Sequence, residues 1–101
     1  MAATPEAKVK AKIKATLKKH GAYYAMPIGS GYGNSGVPDF LVCLGGEFLA
    51  IEAKAGNNKP TALQEKNMRE IEAAMGRTLV VTDDPLSMEV LEAVLENMKC
   101  L

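Results

Sequence analysis

The sequence predicts an α/β fold in which helices flank a mixed β-sheet on both faces. Three observations carry that expectation: segments of helical and extended period alternate in the order αβββαβα, the pair Gly45-Gly46 joins two apolar runs as a hairpin turn would, and "RTLVVT" (77–82) reads as a short buried strand. The 101 residues, 48% hydrophobic and 24% charged, suit one domain spanning 1–101 around one modest core.

Thr4-Pro5-Glu6 opens the first helix with an N-cap, a proline at the first helical position and an acid in the first turn. Val9, Ile13 and Leu17 form its apolar stripe, which His20 continues as a packed residue, and Gly21 ends it. Residues 22–28, "AYYAMPI", read as a strand, and Gly29 to Gly36 read as a glycine-rich loop. Within that loop "GYGNSG" matches GxGxxG, but Val37-Pro38 and a strand follow it instead of a helix, so the dinucleotide reading fails. Strands over 39–44 and 47–54 follow. A second helix is expected from Thr61 to Met75, with Gln64, Met68, Ile71 and Met75 as its stripe and Gly76 as its stop. After strand 77–82, Asp84-Pro85 opens a third helix carrying Leu86, Val90, Leu91, Val94, Leu95 and Met98. With Leu101 that apolar stripe exceeds what a small sheet covers, which hints at a dimer interface.

Composition narrows the function classes. Twelve basic and twelve acidic residues balance, so overall charge announces no nucleic-acid partner, yet residues 1–20 hold six lysines against Glu6 alone. Residues 83–101 hold five acids against Lys99. Those lysines form a solvated face that can also meet phosphates. Cys43 and Cys100 without a CxxC pattern read as reduced thiols of a cytoplasmic protein, and one histidine excludes a His-rich zinc site. No apolar window reaches membrane-spanning length, and the lysine-rich start is not a signal peptide.

The hairpin register exposes a conflict in "GVPDFLVCLGGEFLAIEAK" (36–54). With Gly45-Gly46 as the turn, Phe40 faces Ile51 and Asp39 faces Glu52; Asp39, Glu52 and Lys54 then share one sheet face while Phe40, Val42, Leu49 and Ile51 share the other. Opposed like charges at that separation are destabilising, so a cation belongs between them. Lys54 supplies one positive charge, and a hard divalent ion with oxygen ligands would supply the rest. Glu6 and Gln64 fall on apolar stripes near helix N-termini and point toward the same region. A first-turn acid and a helix cap are the structural alternatives for these two residues.

The string G-V-P-D, twelve residues, E-A-K and then P-T-A-L-Q resembles the PD-(D/E)xK nuclease superfamily, specifically its virus-type replication-repair nuclease (VRR-NUC) domain in the small stand-alone, phage-type form. The resemblance implies a restriction-endonuclease-like fold and a Mg²⁺- or Mn²⁺-dependent endodeoxyribonuclease. Asp39 and Glu52 would bind the metal with the main-chain carbonyl of Ala53, Glu6 would complete the acidic cluster, Lys54 would serve the attacking water, and Gln64 would orient the phosphate or Lys54. It also implies a homodimer acting on branched DNA such as four-way (Holliday) junctions, in the cytoplasm of a bacterial or phage-infected cell, with no nucleotide cofactor and no membrane partner. Lys8, Lys12, Lys19, Ser30, Asn34 and Lys59 are the candidate DNA contacts. The alternatives are a non-catalytic DNA-binding module that keeps the nuclease fold, and a less selective repair or restriction-type nuclease.

Overall fold

Local capping chemistry places the first helix. In the computed structural model, which describes residues 4–28 and 36–99, Thr4 Oγ1 accepts the Ala7 N–H at 3.1 Å and helix α1 runs Pro5–Lys19 with His20 as its C-cap. Strands β1 (Tyr23–Ala25), β2 (Phe40–Leu44) and β3 (Glu47–Ala53) follow, then helix α2 (Ala62–Ala73), strand β4 (Arg77–Val81) and helix α3 (Pro85–Lys99). The sheet order is β1-β2-β3-β4, with the first two pairings antiparallel and β3–β4 parallel. This is the expected αβββαβα mixed sheet.

The hairpin forms in the expected register, with Phe40 opposite Ile51, Val42 opposite Leu49 and Leu44 opposite Glu47. Gly45 and Gly46 both adopt positive φ, 62° and 78°, as a two-residue turn matched to strand twist requires. Side-chain alternation then sorts the sheet. Phe40, Val42, Leu49, Ile51, Ala53 and Val81 pack with Val9, Ile13 and Leu17 of α1 and Leu91, Leu95 and Met98 of α3 into one buried core. α2 covers part of the opposite face, where Phe48 stays 40% exposed and Glu52 is buried.

Three expectations need correction. β1 is three residues long instead of seven: Pro27 has no N–H for the ladder, and the strand lies at the sheet edge. The stop of α2 is not Gly76 but Met75, whose φ of 74° places it in the left-handed position; Gly76 N–H bonds Ile71 C=O at 2.9 Å and Met75 N–H bonds Glu72 C=O at 3.0 Å. Met75 is consequently 91% exposed and leaves the stripe. On α3 the stripe is indeed wider than the sheet covers: Leu86 and Val90 stay exposed, because only the face carrying Leu91, Leu95 and Met98 meets the core. Leu101 and Cys100 lie outside the described residues.

α1 and α3 are clasped at the far end of α1. Buried His20 pairs through Nε2 with Glu92, its Nδ1 lies 3.4 Å from Glu96 Oε1, and Lys19 Nζ reaches Glu92 at 3.0 Å. The hydrogen bond from His20, helped by Lys19, holds the Glu92 carboxyl below its ordinary range. Among the described residues no helix is long and apolar enough to cross a membrane.

Candidate active site

Buried Pro38 leads the chain into β2 and sets Asp39 at the strand's entrance, one register step beyond the Phe40–Ile51 pair and therefore opposite Glu52. Asp39 is held from behind: its Oδ2 accepts the Ala53 N–H at 2.8 Å. In an extended strand the N–H and C=O of one residue leave by the same edge, so the Ala53 carbonyl also points to the Asp39 side. Lys54, just past β3, turns its amide to Val81 C=O at 2.9 Å and brings Nζ to 3.6 Å from Glu52 Oε2. Glu52 and Lys54 side chains are 3% and 11% exposed, so this is a sheltered pair, unlike an ordinary surface bridge.

Glu52 is the electrostatic centre of the cluster. Burial, then the charge and close approach of the Asp39 carboxyl, push the Glu52 carboxyl up to about 7 from an ordinary value of 4.5, against the opposing pull of Lys54. Its Oε2 accepts Gln64 Nε2 at 3.1 Å, whereas its Oε1 is buried without a hydrogen-bond partner among the described residues. An unpartnered buried carboxylate oxygen beside a second carboxylate suits a bound cation. Among the described residues no three His, Cys, Asp or Glu side chains form a metal cage. Two carboxylates and a carbonyl suffice for Mg²⁺, which keeps several waters.

Gln64 combines a capping role with a site role. Its Oε1 accepts Thr61 N–H at 2.8 Å and Thr61 Oγ1 accepts its own N–H at 3.2 Å, a complete capping box, while its Nε2 reaches Glu52. The residue it orients is therefore Glu52. The loop end must come close for this arrangement: Gly36, at φ +80°, leaves no room for a Cβ, which would stand 2.7 Å from Leu63 C and 2.8 Å from Gln64 N.

Glu6 reaches the cluster only indirectly. Its Oε2 is 3.8 Å from Lys10 Nζ, which in turn lies 3.4 Å from Asp39 Oδ1. Lys10 is the residue that sequence reasoning grouped with the solvated lysines; its spacing of four from Glu6, on the flank that leads to Ile13 and Leu17, was the available signal. At about 100° per residue Lys8 and Lys12 fall on the other flank of α1, and Lys19, bound to Glu92, sits at its far end. Lys59 is exposed beyond β3, and Ser30 and Asn34 lie outside the described residues. A cavity of about 530 Å³, lined by Phe48, Ile71, Ala74 and Met75 among others, opens at the opposite end of β3 and touches neither Asp39 nor Glu52.

By sequence the chain matches no family model and no curated protein. By structure it matches a solved VRR-NUC domain with a TM-score of 0.77 and 26% identity over 89% of this chain and 97% of that one. The chain has the VRR-NUC form of the PD-(D/E)xK fold. A second solved structure, Hjc of Archaeoglobus fulgidus, a Holliday junction resolvase from an archaeal hyperthermophile, matches with a TM-score of 0.58 and 19% identity over 74% of this chain and 65% of that one. At that identity the likeness concerns the fold. The VRR-NUC match extends across nearly the whole of its partner, so the αβββαβα frame that sets Asp39 against Glu52 is the shared frame.

Proposed function

We propose that this chain, acting as one nuclease domain over residues 1–101, is a metal-dependent endonuclease that hydrolyses phosphodiester bonds in DNA. The observation that carries the proposal is the sheltered carboxylate pair, with Glu52 Oε1 unpartnered among the described residues and Lys54 Nζ beside Glu52. Asp39, Glu52 and the Ala53 carbonyl would hold a Mg²⁺ or Mn²⁺ ion. When bound, such an ion lowers the pKa of a coordinated water and stabilises charge developing on the phosphate.

The protein residues divide the remaining work. Ala53 N–H fixes Asp39, and Gln64 fixes Glu52, so both carboxylates are oriented before substrate arrives. The Lys54 ammonium orients the attacking water and offsets negative charge in the transition state. Glu6, held at the rim through Lys10, contributes an outer acid rather than a direct partner of Asp39.

For the substrate we propose branched DNA cut by a homodimer, a reading supported by the resemblance in fold to a resolvase. The test is cleavage of an end-labelled four-way junction beside a linear duplex of the same sequence, in Mg²⁺, Mn²⁺ or EDTA, with wild type and Lys54→Ala. Metal-dependent symmetric cuts on the junction alone, reduced at least about 100-fold in the variant, are expected. Equal cutting of both DNAs would discard branch selectivity, and binding without cleavage in any metal would favour a non-catalytic DNA-binding module.

A further inference from the structure

We propose that Lys10 is a resident counter-ion of the acidic site, an ammonium that occupies the metal-facing oxygen of Asp39 and must leave before a divalent cation can bind. The inference rests on the metal-site reading above, in which Lys10 serves only to hold Glu6 at the rim of the metal-free site.

The two oxygens of Asp39 have different partners. Oδ2 already accepts the Ala53 N–H at 2.8 Å, so Oδ1, which takes no backbone hydrogen bond among the described residues, is the more accessible oxygen for a cation. Lys10 Nζ lies 3.4 Å from that Oδ1 and 3.8 Å from Glu6 Oε2. It approaches from α1, whereas Lys54, at the end of β3, attends Glu52 Oε2 at 3.6 Å. The two carboxylates are thus each matched by one lysine, and Glu52 Oε1 is the oxygen of the pair that lacks a partner among the described residues.

The two lysines are not equivalent. The Lys54 side chain is 11% exposed and fixed at the end of β3, whereas that of Lys10 is 33% exposed and extends on a flexible stem from a surface helix. Rotation of that stem carries the ammonium into water at little cost, whereas the Lys54 ammonium is sheltered and has less open solvent to enter. Lys10 is therefore the exchangeable cation. It relieves the Asp39–Glu52 repulsion in the metal-free protein and competes with a divalent ion for Asp39 Oδ1.

Competition makes removal of the lysine favour the metal. Partly exposed ion pairs of this kind are weak, so Lys10→Met should tighten Mn²⁺ binding by about three- to fivefold. Lys10→Arg, which keeps the charge, should stay near the wild-type affinity. Lys18→Met removes the same charge from the far end of the same helix, beyond the screening length, and should change affinity by less than about 1.5-fold.

The experiment is isothermal titration of each metal-free protein with MnCl₂ at pH 7.5 and 0.15 M salt, with Asp39→Asn as the control for the site. Thermal melting in EDTA accompanies each variant to show that it is folded. The tightening in Lys10→Met, absent in Lys10→Arg and Lys18→Met, is the expected pattern. Unchanged or weaker binding by a folded Lys10→Met, while Asp39→Asn abolishes binding, would overturn the role of Lys10 and leave the metal site standing. Wild-type binding that survives Asp39→Asn would overturn the site reading itself, and with it this inference.

Discussion

Replacing Glu52 by glutamine should stabilise the metal-free protein at neutral and alkaline pH, although it alters a buried residue that makes two polar contacts. Glu52 holds its proton up to about 7 in the folded chain, against an ordinary value of 4.5, chiefly because it is buried and faces Asp39. The sign follows from proton linkage. Below the ordinary value both folded and unfolded chains carry the proton and its contribution is fully present; between 4.5 and about 7 only the folded chain keeps it, so stability falls as pH rises. At about 1.4 kcal/mol per pH unit the whole window amounts to about 3 kcal/mol, which is an upper figure because Asp39 and Lys54 relax with the charge. In Glu52→Gln the new amide keeps the shape and can still accept from Gln64, but carries no charge to desolvate. For a chain of this size a gain of about 2–3 kcal/mol corresponds to about 10–20 °C in Tm. The assay is thermal and urea unfolding of both proteins in EDTA from pH 5 to 8.5. The curves should draw together toward pH 5 and diverge toward pH 8 in favour of the variant, and saturating Mg²⁺ should recover stability for wild type alone. Parallel curves, or a less stable variant at pH 8, would refute the crowded-carboxylate account.

Two further substitutions test the frame around the site. Gly36→Ala puts a methyl group 2.7 Å from the backbone of Leu63 and strains a positive φ, so it should cost about 2–4 kcal/mol in urea unfolding. It should also displace Gln64, visible as loss of metal-dependent cleavage beyond what the lowered stability explains. Met75→Gly should raise stability by about 0.5–1 kcal/mol, because a glycine accepts the left-handed conformation that Met75 holds at φ 74° and the side chain is 91% exposed. A loss of stability there would mean that Met75 makes contacts the free chain does not reveal.

Much of this protein was legible in its sequence, and the reason is local. Capping residues set the starts of α1 and α2, the period-2 alternation and the Gly45-Gly46 turn fixed the hairpin register, and that register alone put Asp39 opposite Glu52. The order αβββαβα followed from the same patterns, and the string G-V-P-D, E-A-K and P-T-A-L-Q separately resembled the VRR-NUC domain, whose solved structure this chain matches. Where the sequence reading fell short, the deciding forces were between elements. Edge position cut β1 to three residues, and a left-handed Met75 in place of Gly76 ended α2. Partner choice could not be read from spacing either: Gln64 holds Glu52, and Lys10 stands between Glu6 and Asp39. Such pairings depend on how α1 and α2 settle against the ends of β2 and β3. Sequence determines which groups an element presents and on which face; tertiary packing decides which oxygen each ammonium or amide finally reaches, because shifts of about an ångström separate a hydrogen bond from no bond at all.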